Sequence, residues 1–358
     1  MNAATSAQRA DRLAAVLAER ELDCLLVTDL VNVRWLTGFT GTNGACVISR
    51  DQRLFLTDFR YTEQAEAQVQ DFDRIQAGRD LLADLAGRLA GRAGFDDAQL
   101  SVRSHAKIAD KAPDGVELVA AGGAVEGLRE VKDAGELERI AAAQELATAA
   151  LEATLLRGLV GRTELEIALD LEQEMRLVGG TGPSFPSIVA AGPHGALPHA
   201  VPRDVPVPAG VLVVVDWGAI LDGYCSDCTR TFATGELDDD AAAGYELVLQ
   251  AQLAGLAAVR AGAACAEVDA TARGVIEATG QGDLFGHSLG HGVGLEVHEG
   301  PTLSARSESD LRAGNVVSVE PGIYAPGRFG VRIEDLVAVT EDGADVFTTF
   351  AKQLTTVA

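Results

Sequence analysis

The run Val211-Leu212-Val213-Val214-Val215-Asp216-Trp217-Gly218-Ala219-Ile220-Leu221-Asp222-Gly223-Tyr224-Cys225-Ser226-Asp227-Cys228-Thr229-Arg230-Thr231-Phe232 decides the reading of this chain. The apolar residues from Val211 to Val215 read as a buried strand, and that strand ends in a carboxylate. Asp222-Gly223 is a strong two-residue hairpin signal, so Tyr224–Phe232 is expected to return antiparallel. Such a turn sets residue 216 opposite 229. Asp227 is then a diagonal neighbour of Asp216 on the same face, roughly 7–8 Å away, and a bulge would bring the two closer. Two acids on one face beside a buried strand repel each other unless something positive lies between them.

A second apolar hairpin repeats the arrangement. Val316-Val317-Ser318-Val319-Glu320 is followed by the breakers Pro321-Gly322 and Pro326-Gly327, and Val331-Arg332-Ile333-Glu334-Asp335-Leu336-Val337 returns. Residues 320 and 334 are symmetric about Gly327, so a three-residue loop there sets the two glutamates opposite each other. Any one of these acids would ordinarily be a solvated turn residue. Four acids closing two apolar hairpins point elsewhere, because buried charges need partners or metals. The segment Gly286-His287-Ser288-Leu289-Gly290-His291-Gly292-Val293-Gly294-Leu295-Glu296-Val297-His298-Glu299 holds three of the six histidines. Its glycines suggest a tight loop. It has neither dinucleotide-loop spacing nor the H-E-x-x-H pattern. Four carboxylates with one imidazole make an oxygen-rich dinuclear site suited to Mn²⁺, Co²⁺, Fe²⁺ or Zn²⁺, and the carboxylate richness favours Mn²⁺. Two such ions sharing a water support hydrolysis.

The wider sequence is consistent with an enzyme of this kind. At 358 residues the chain is long enough for two domains. With 29 basic and 53 acidic side chains, a formal net charge of −24, it is a poor partner for nucleic acid or an anionic membrane surface. No apolar run is long enough to span a bilayer, and Met1–Glu21 reads as a charged amphipathic helix rather than a signal peptide, so a cytoplasmic protein is expected. The cysteines at 24, 46, 225, 228 and 265 do not suggest a disulfide framework. The lone C-x-x-C at Cys225 and Cys228 is a weak zinc or redox signal. The chain divides near Ala120-Ala121-Gly122-Gly123. Residues 1–128 alternate helix-like and strand-like runs: Ala7–Glu19, Cys24–Thr28, Gly44–Ser49, Leu54–Thr57 and Tyr61–Val69. Residues 129–358 open with a helix over Ala134–Leu155. A second helix follows the capping box of Thr163 and Glu166 and stops at Gly179-Gly180, and two more are expected over Asp240–Ala261 and Ala266–Thr279.

Taken together, these segments resemble the pita-bread metallopeptidases, specifically Xaa-Pro aminopeptidases and Xaa-Pro dipeptidases (prolidases). The carrying motifs are Asp216-Trp217-Gly218-Ala219, Asp222 through Phe232, Gly290 through Glu299, Glu320-Pro321-Gly322-Ile323-Tyr324 and Val331-Arg332-Ile333-Glu334-Asp335. Asn32 through Gly44 resembles the creatinase-type N-terminal domain. The resemblance implies an α/β N-terminal domain (creatinase/ribonuclease H-like) over 1–128. It implies an α+β pita-bread catalytic domain with a curved antiparallel sheet over 129–358. It further implies that Asp216, Asp227, His291, Glu320 and Glu334 are the metal ligands, with Asp227 and Glu334 bridging two ions and Glu320 also relaying a proton. His199 matches a histidine that hydrogen-bonds substrate, His298 one that steadies the oxyanion, and His287 a further pocket histidine. Arg332 matches an arginine that holds the carboxylates. His194 and His105 match no role. Pro186 stands where an acidic residue is common, and Thr302 where Arg is frequent; both bear on fine specificity.

The expectation is therefore a dinuclear-metal Xaa-Pro aminopeptidase acting on proline-containing peptides, with Xaa-Pro dipeptidase as the alternative. A non-catalytic peptide-binding scaffold is the more distant rival. Methionine aminopeptidases share the five ligands but lack the N-terminal domain, and creatinase-like relatives lack the ligands. Homodimerisation is implied by the resemblance alone.

Overall fold

The computed structural model describes residues 4–358. They fall into two compact units, one ending at Arg129 and the other running Glu130–Ala358. In the first unit a six-stranded mixed sheet is built from β1 (Cys24–Val27), β2 (Gly44–Ser49), β3 (Arg53–Thr57), β4 (Asp73–Gln76), β5 (Arg92–Phe95) and β6 (Glu117–Ala120). Its order is β4-β3-β2-β1-β5-β6. The central strands are nearly continuous apolar runs because helices cover them, and Leu26, Val47, Leu56, Leu85 and Ile108 share one core. The short helix Leu30–Thr37 was not legible from periodicity. Its ends are set locally, by the Asp29 side chain accepting from the Asn32 amide and by Gly38 in the left-handed region at φ 78°.

In the second unit the expected Thr163–Glu166 capping box opens the helix Glu164–Leu177, and a second box, Asp133 with Glu136, opens Ala134–Leu155. These two helices bury Ala147, Leu151, Ile167, Leu171 and Met175 against Val213, Val215 and Trp217 of the strand Leu212–Trp217. The indole of Trp217 donates to the carbonyl of Ala147 at 2.8 Å. The helices Asp239–Ala258 and Cys265–Glu277 bury Val248, Ala251, Val268 and Ile276 against Val317, Val319, Ile323, Val331 and Val337. Fully burying such a side chain is worth about 1.5–3 kcal/mol. Successive strand residues point to opposite faces. Once Val213, Val215 and Trp217 face the helices, Asp216 faces away from them; Ser318 and Arg332 likewise alternate with buried valines.

The registers follow the turn chemistry. Asp222 and Gly223 both have positive φ, 47° and 78°, as a two-residue type I′ turn requires. Thr229 pairs with Asp216, and Ala325 pairs with Phe329 across a three-residue loop. Two expected strands are broken, however. Tyr224–Phe232 becomes Tyr224–Cys225 and Cys228–Ala233, and the return from Val331 becomes Phe329–Arg332 and Asp335–Val339. The pairs Ile220 with Cys225 and Asp216 with Thr229 share one register across the first gap, so no residue is inserted and no bulge forms there. The expected His-rich loop contains a short strand, Gly290–Gly292, with a register shift between His291 and Gly292. Among the described residues no helix is long and apolar enough to cross a membrane.

Candidate metal centre

The strand breaks fall where the acids are. At the first, the Cys225 amide turns to the carbonyl of Gly294 at 2.7 Å, and the Ser226 amide to Ala219 at 2.9 Å. At the second, the Glu334 amide donates to Thr229 at 3.1 Å and the Glu320 amide to Leu289 at 2.8 Å. The Ser226 bond keeps the register of its own hairpin, while the amides of Cys225, Glu334 and Glu320 tie the hairpins and the histidine segment together. One carboxylate oxygen each from Asp216, Asp227 and Glu334 consequently lie within 4.8 Å of one another. His291 enters from Gly290–Gly292. A side chain at Gly290 would lie 2.0 Å from the carbonyl of Ser318, and one at Gly292 2.1 Å from that of Gly300, so glycine on both sides of the imidazole is a packing requirement. The Nδ1–H of His291 donates to the carbonyl of Gly292 at 3.0 Å. That leaves Nε2 facing the acids, 3.3 Å from Glu320 Oε1 and 3.6 Å from Asp227 Oδ2.

Without a counter-ion this cluster is electrostatically unfavourable. Burial pushes the carboxyl of Asp227 well above the ordinary range, and the charges of Glu334, Asp216 and Glu320 push it further. Glu334 is raised likewise, by burial and then by Glu320 and Asp216. Asp216 is raised by burial despite the Arg332 charge. Burial alone would raise Glu320 too, but its hydrogen bond to His291 and the charges of His291, His287 and Arg332 outweigh burial and bring it down to about 2. Asp216 Oδ1 and Glu334 Oε1 are buried with no hydrogen-bond partner. Native proteins rarely leave buried carboxylate oxygens unpaired. Two orphan oxygens among four acids, with an imidazole nitrogen turned toward them, are the donor set of a divalent-ion site.

Around the cluster, Arg332 donates from NH2 to Asp216 Oδ2 at 2.6 Å, from Nε to Thr229 at 3.0 Å and from NH1 to the Tyr324 hydroxyl at 2.7 Å. That hydroxyl lies 2.9 Å from His287 Nε2, while His287 Nδ1–H donates to the carbonyl of Ser288. Both ring nitrogens of His287 are therefore engaged inside the protein, and burial lowers its pKa. His298 is exposed, its ring centroid 4.4 Å from that of His291. Burial of part of its ring, then the neighbouring His291 and His199, lower its pKa. His199 is exposed on the segment after the strand Ile188–Ala191. Thr302 pairs with His291 across the ladder, and Pro186 precedes Ile188, the partner of Asp216, by two positions. His105 lies in the first unit against Phe95.

Three residues of this site went unassigned in the sequence. Tyr324 bridges His287 to Arg332, the Thr229 hydroxyl donates to Glu334 Oε2 at 2.8 Å, and the Ser318 hydroxyl lies 3.1 Å from Glu320 Oε1 and accepts from the His291 amide. The positional signal was present, since 229 is opposite 216 and 318 is two before 320. Behind the cluster, Arg230 donates to the main-chain carbonyl of Glu334 and, at 2.8 Å, to the buried carboxylate of Asp335.

Residues 138–341 match the model of metallopeptidase family M24, and residues 9–131 match that of the creatinase/prolidase N-terminal domain. An Xaa-Pro dipeptidase of Pyrococcus furiosus is 33% identical over 97% of this chain and 99% of its own length. A solved Xaa-Pro dipeptidase from Bacillus anthracis superposes with a TM-score of 0.96 at 38% identity, over 98% of this chain and 100% of that one. An X-Pro aminopeptidase from Thermotoga maritima gives 0.88 at 36%, over 95% and 99%. The carboxylate cluster sits in the part that matches the peptidase model, and the fold is the α/β creatinase-type domain followed by the α+β pita-bread domain. The chain belongs to metallopeptidase family M24.

Proposed function

We propose that the chain is an Xaa-Pro dipeptidase, hydrolysing the bond between an N-terminal residue and proline at a dinuclear centre held by Asp216, Asp227, His291, Glu320 and Glu334. The observation that carries this reading is the convergence of four carboxylates and an imidazole with two orphaned oxygens inside an M24 fold. The names of the similar Pyrococcus and Bacillus proteins favour the dipeptidase over the aminopeptidase that the sequence put first. The oxygen-rich donor set suits Mn²⁺. Divalent ions held by these residues would supply a polarising charge for the scissile carbonyl and would lower the pKa of a bound water.

The chain's own residues do the remaining work. Glu320, ionised at neutral pH, accepts at its carboxylate the proton shed by the attacking water. His298, kept neutral by its lowered pKa, donates an N–H to the oxygen that gains charge. His199, exposed on the segment after the strand Ile188–Ala191, contacts the substrate. Arg332, Tyr324 and His287 form a chain of hydrogen bonds that holds Asp216 in place.

One feature favours the aminopeptidase as a second reading. Thr302, paired with His291, brings no cation to the edge of the site, whereas a dipeptide presents a free carboxylate just beyond its scissile bond. A timed digest with Mn²⁺ separates the two. Ala-Pro is expected to be cleaved, while Ala-Pro-Ala-Ala and Ala-Ala are not, and Glu320→Ala is expected to abolish the cleavage with the fold retained. Release of Ala from the longer peptide would give the aminopeptidase. Failure of the metal-loaded chain on both proline peptides would favour the scaffold.

A further inference from the structure

His194, which matched no role in the sequence, lies in a buried network centred on Glu164. Glu164 is the first residue of its helix and is 1% exposed. Its carboxylate accepts from the Ala191 amide at 2.9 Å, from His194 Nδ1 at 2.9 and 3.0 Å, and from the amide, Nε and NH2 of Arg203 at 3.0, 3.0 and 3.1 Å. Burial alone would raise its pKa, but the hydrogen bonds from Arg203, Ala191 and His194 outweigh burial and keep the carboxylate ionised. An ionised carboxylate only accepts, so His194 Nδ1 carries the proton.

These donors are spread along one segment. Ala191 ends the strand Ile188–Ala191, His194 sits in the 3₁₀ turn Gly192–Ala196, and Arg203 lies beyond it. The main chain of the same helix start closes the far end, with the amide of Glu164 donating to Val205 and that of Leu165 to Arg203. One buried charge thus pins the start, middle and end of residues 191–203. In the middle, Gly195 and Ala200 are buried, but the side chains of Leu197, His199 and Val201 are exposed and have no such packing to fix them. The segment is also tied to the catalytic side through the carbonyl of Pro198, which accepts from Arg332 NH1 at 3.2 Å.

We infer that Glu164 and His194 are positioning residues, which hold the 192–203 segment so that His199 meets the substrate. A role in stability alone would not require this device, because burying a charge is costly and well-packed apolar residues often serve as well. What a carboxylate with several donors provides is a defined geometry. The inference rests on reading His199 as a substrate contact.

The test is a double-mutant cycle on the Mn²⁺-loaded full chain with Ala-Pro, measuring kcat/KM and bound Mn²⁺ for Glu164→Gln, His194→Ala, His199→Ala and the His194→Ala/His199→Ala pair. Misplacing a substrate contact by about 1 Å costs up to about 100-fold, so Glu164→Gln and His194→Ala are expected to lose about 10–100-fold with Mn²⁺ content unchanged. Adding His194→Ala to His199→Ala is expected to cost less than about twofold, and His194→Gln, which can still donate to Glu164, to recover most of the loss. Should Glu164→Gln fail to fold, the histidine variants carry the test. Losses that multiply in the pair, or undiminished turnover in His194→Ala, would overturn the positioning role. Undiminished turnover in His199→Ala would overturn the reading of His199 itself, and the positioning role with it.

Discussion

Glu334→Gln is expected to make the metal-free protein more stable while removing both metal binding and turnover. Glu334 is buried, its pKa raised first by burial and then by the charges of Glu320 and Asp216, and one of its oxygens has no partner. Glutamine occupies nearly the same volume, keeps an oxygen for the Thr229 hydroxyl, and turns an N–H₂ toward the remaining carboxylates. A like-charge contact becomes a hydrogen bond. Relief of about 1 kcal/mol shifts the melting temperature of a domain this size by about 2–4 °C, which is the expected gain without metal. The cost falls on function. Losing a partner that merely orients a ligand reduces metal affinity or activity by about 10–100-fold, and losing a bridging ligand should exceed that. Melting curves with and without Mn²⁺ measure both effects. A destabilised metal-free variant would argue that Glu334 serves the fold rather than a metal.

Stabilisation by metal is expected to grow with pH. Asp227 and Glu334 have raised pKa values in the metal-free fold, through burial and their acidic neighbours. His291 is also raised: burial would lower it, but its hydrogen bond to Glu320 outweighs burial. For a group raised on folding, the native state holds the proton more tightly than the unfolded chain, so its contribution is present at low pH and lost as pH rises through the folded value. Asp227 and Glu334 therefore weaken the metal-free fold as pH climbs above the ordinary carboxylate range, and His291 as it climbs above the ordinary histidine range. Glu320 has the opposite sign, but its window lies near its lowered value of about 2, outside the working range. Metal binding requires these groups deprotonated and compensates their charge. The Mn²⁺-induced rise in melting temperature is thus expected to be larger at about pH 8 than at about pH 6, and loading at the lower pH should release protons. Comparing loaded with unloaded protein at each pH cancels groups that metal does not touch. A gain that shrinks with pH would contradict the account.

Much of the site's architecture is local and could be read from turns and periodicity. Asp222-Gly223 determines the register of one hairpin and the symmetry about Gly327 that of the other, so the opposition of Asp216 to Thr229 needed no tertiary information. The strand breaks at Ser226-Asp227 and Ile333-Glu334 were hidden because their causes are distant. The amides of Cys225 and Glu334 donate to the carbonyls of Gly294 and Thr229 on other segments, and no local pattern announces such a partner. Tyr324 was missed for the same reason, whereas Thr229 and Ser318 had a positional signal but no local sign of the partners their hydroxyls meet. Each is an ordinary strand residue until the two hairpins meet and place its hydroxyl beside a charged group. The resemblance placed His287 in the pocket, but only the fold shows both its ring nitrogens engaged internally.

The most direct test of the dinuclear centre is a count of bound metal. The purified full chain would be stripped with chelator, loaded with Mn²⁺, freed of excess ion and analysed by elemental mass spectrometry beside Asp227→Asn treated identically. Two ions per chain in the parent protein and a clear loss in the variant are expected. A parent chain that retains no metal, or a variant that retains as much as the parent, would contradict the assignment.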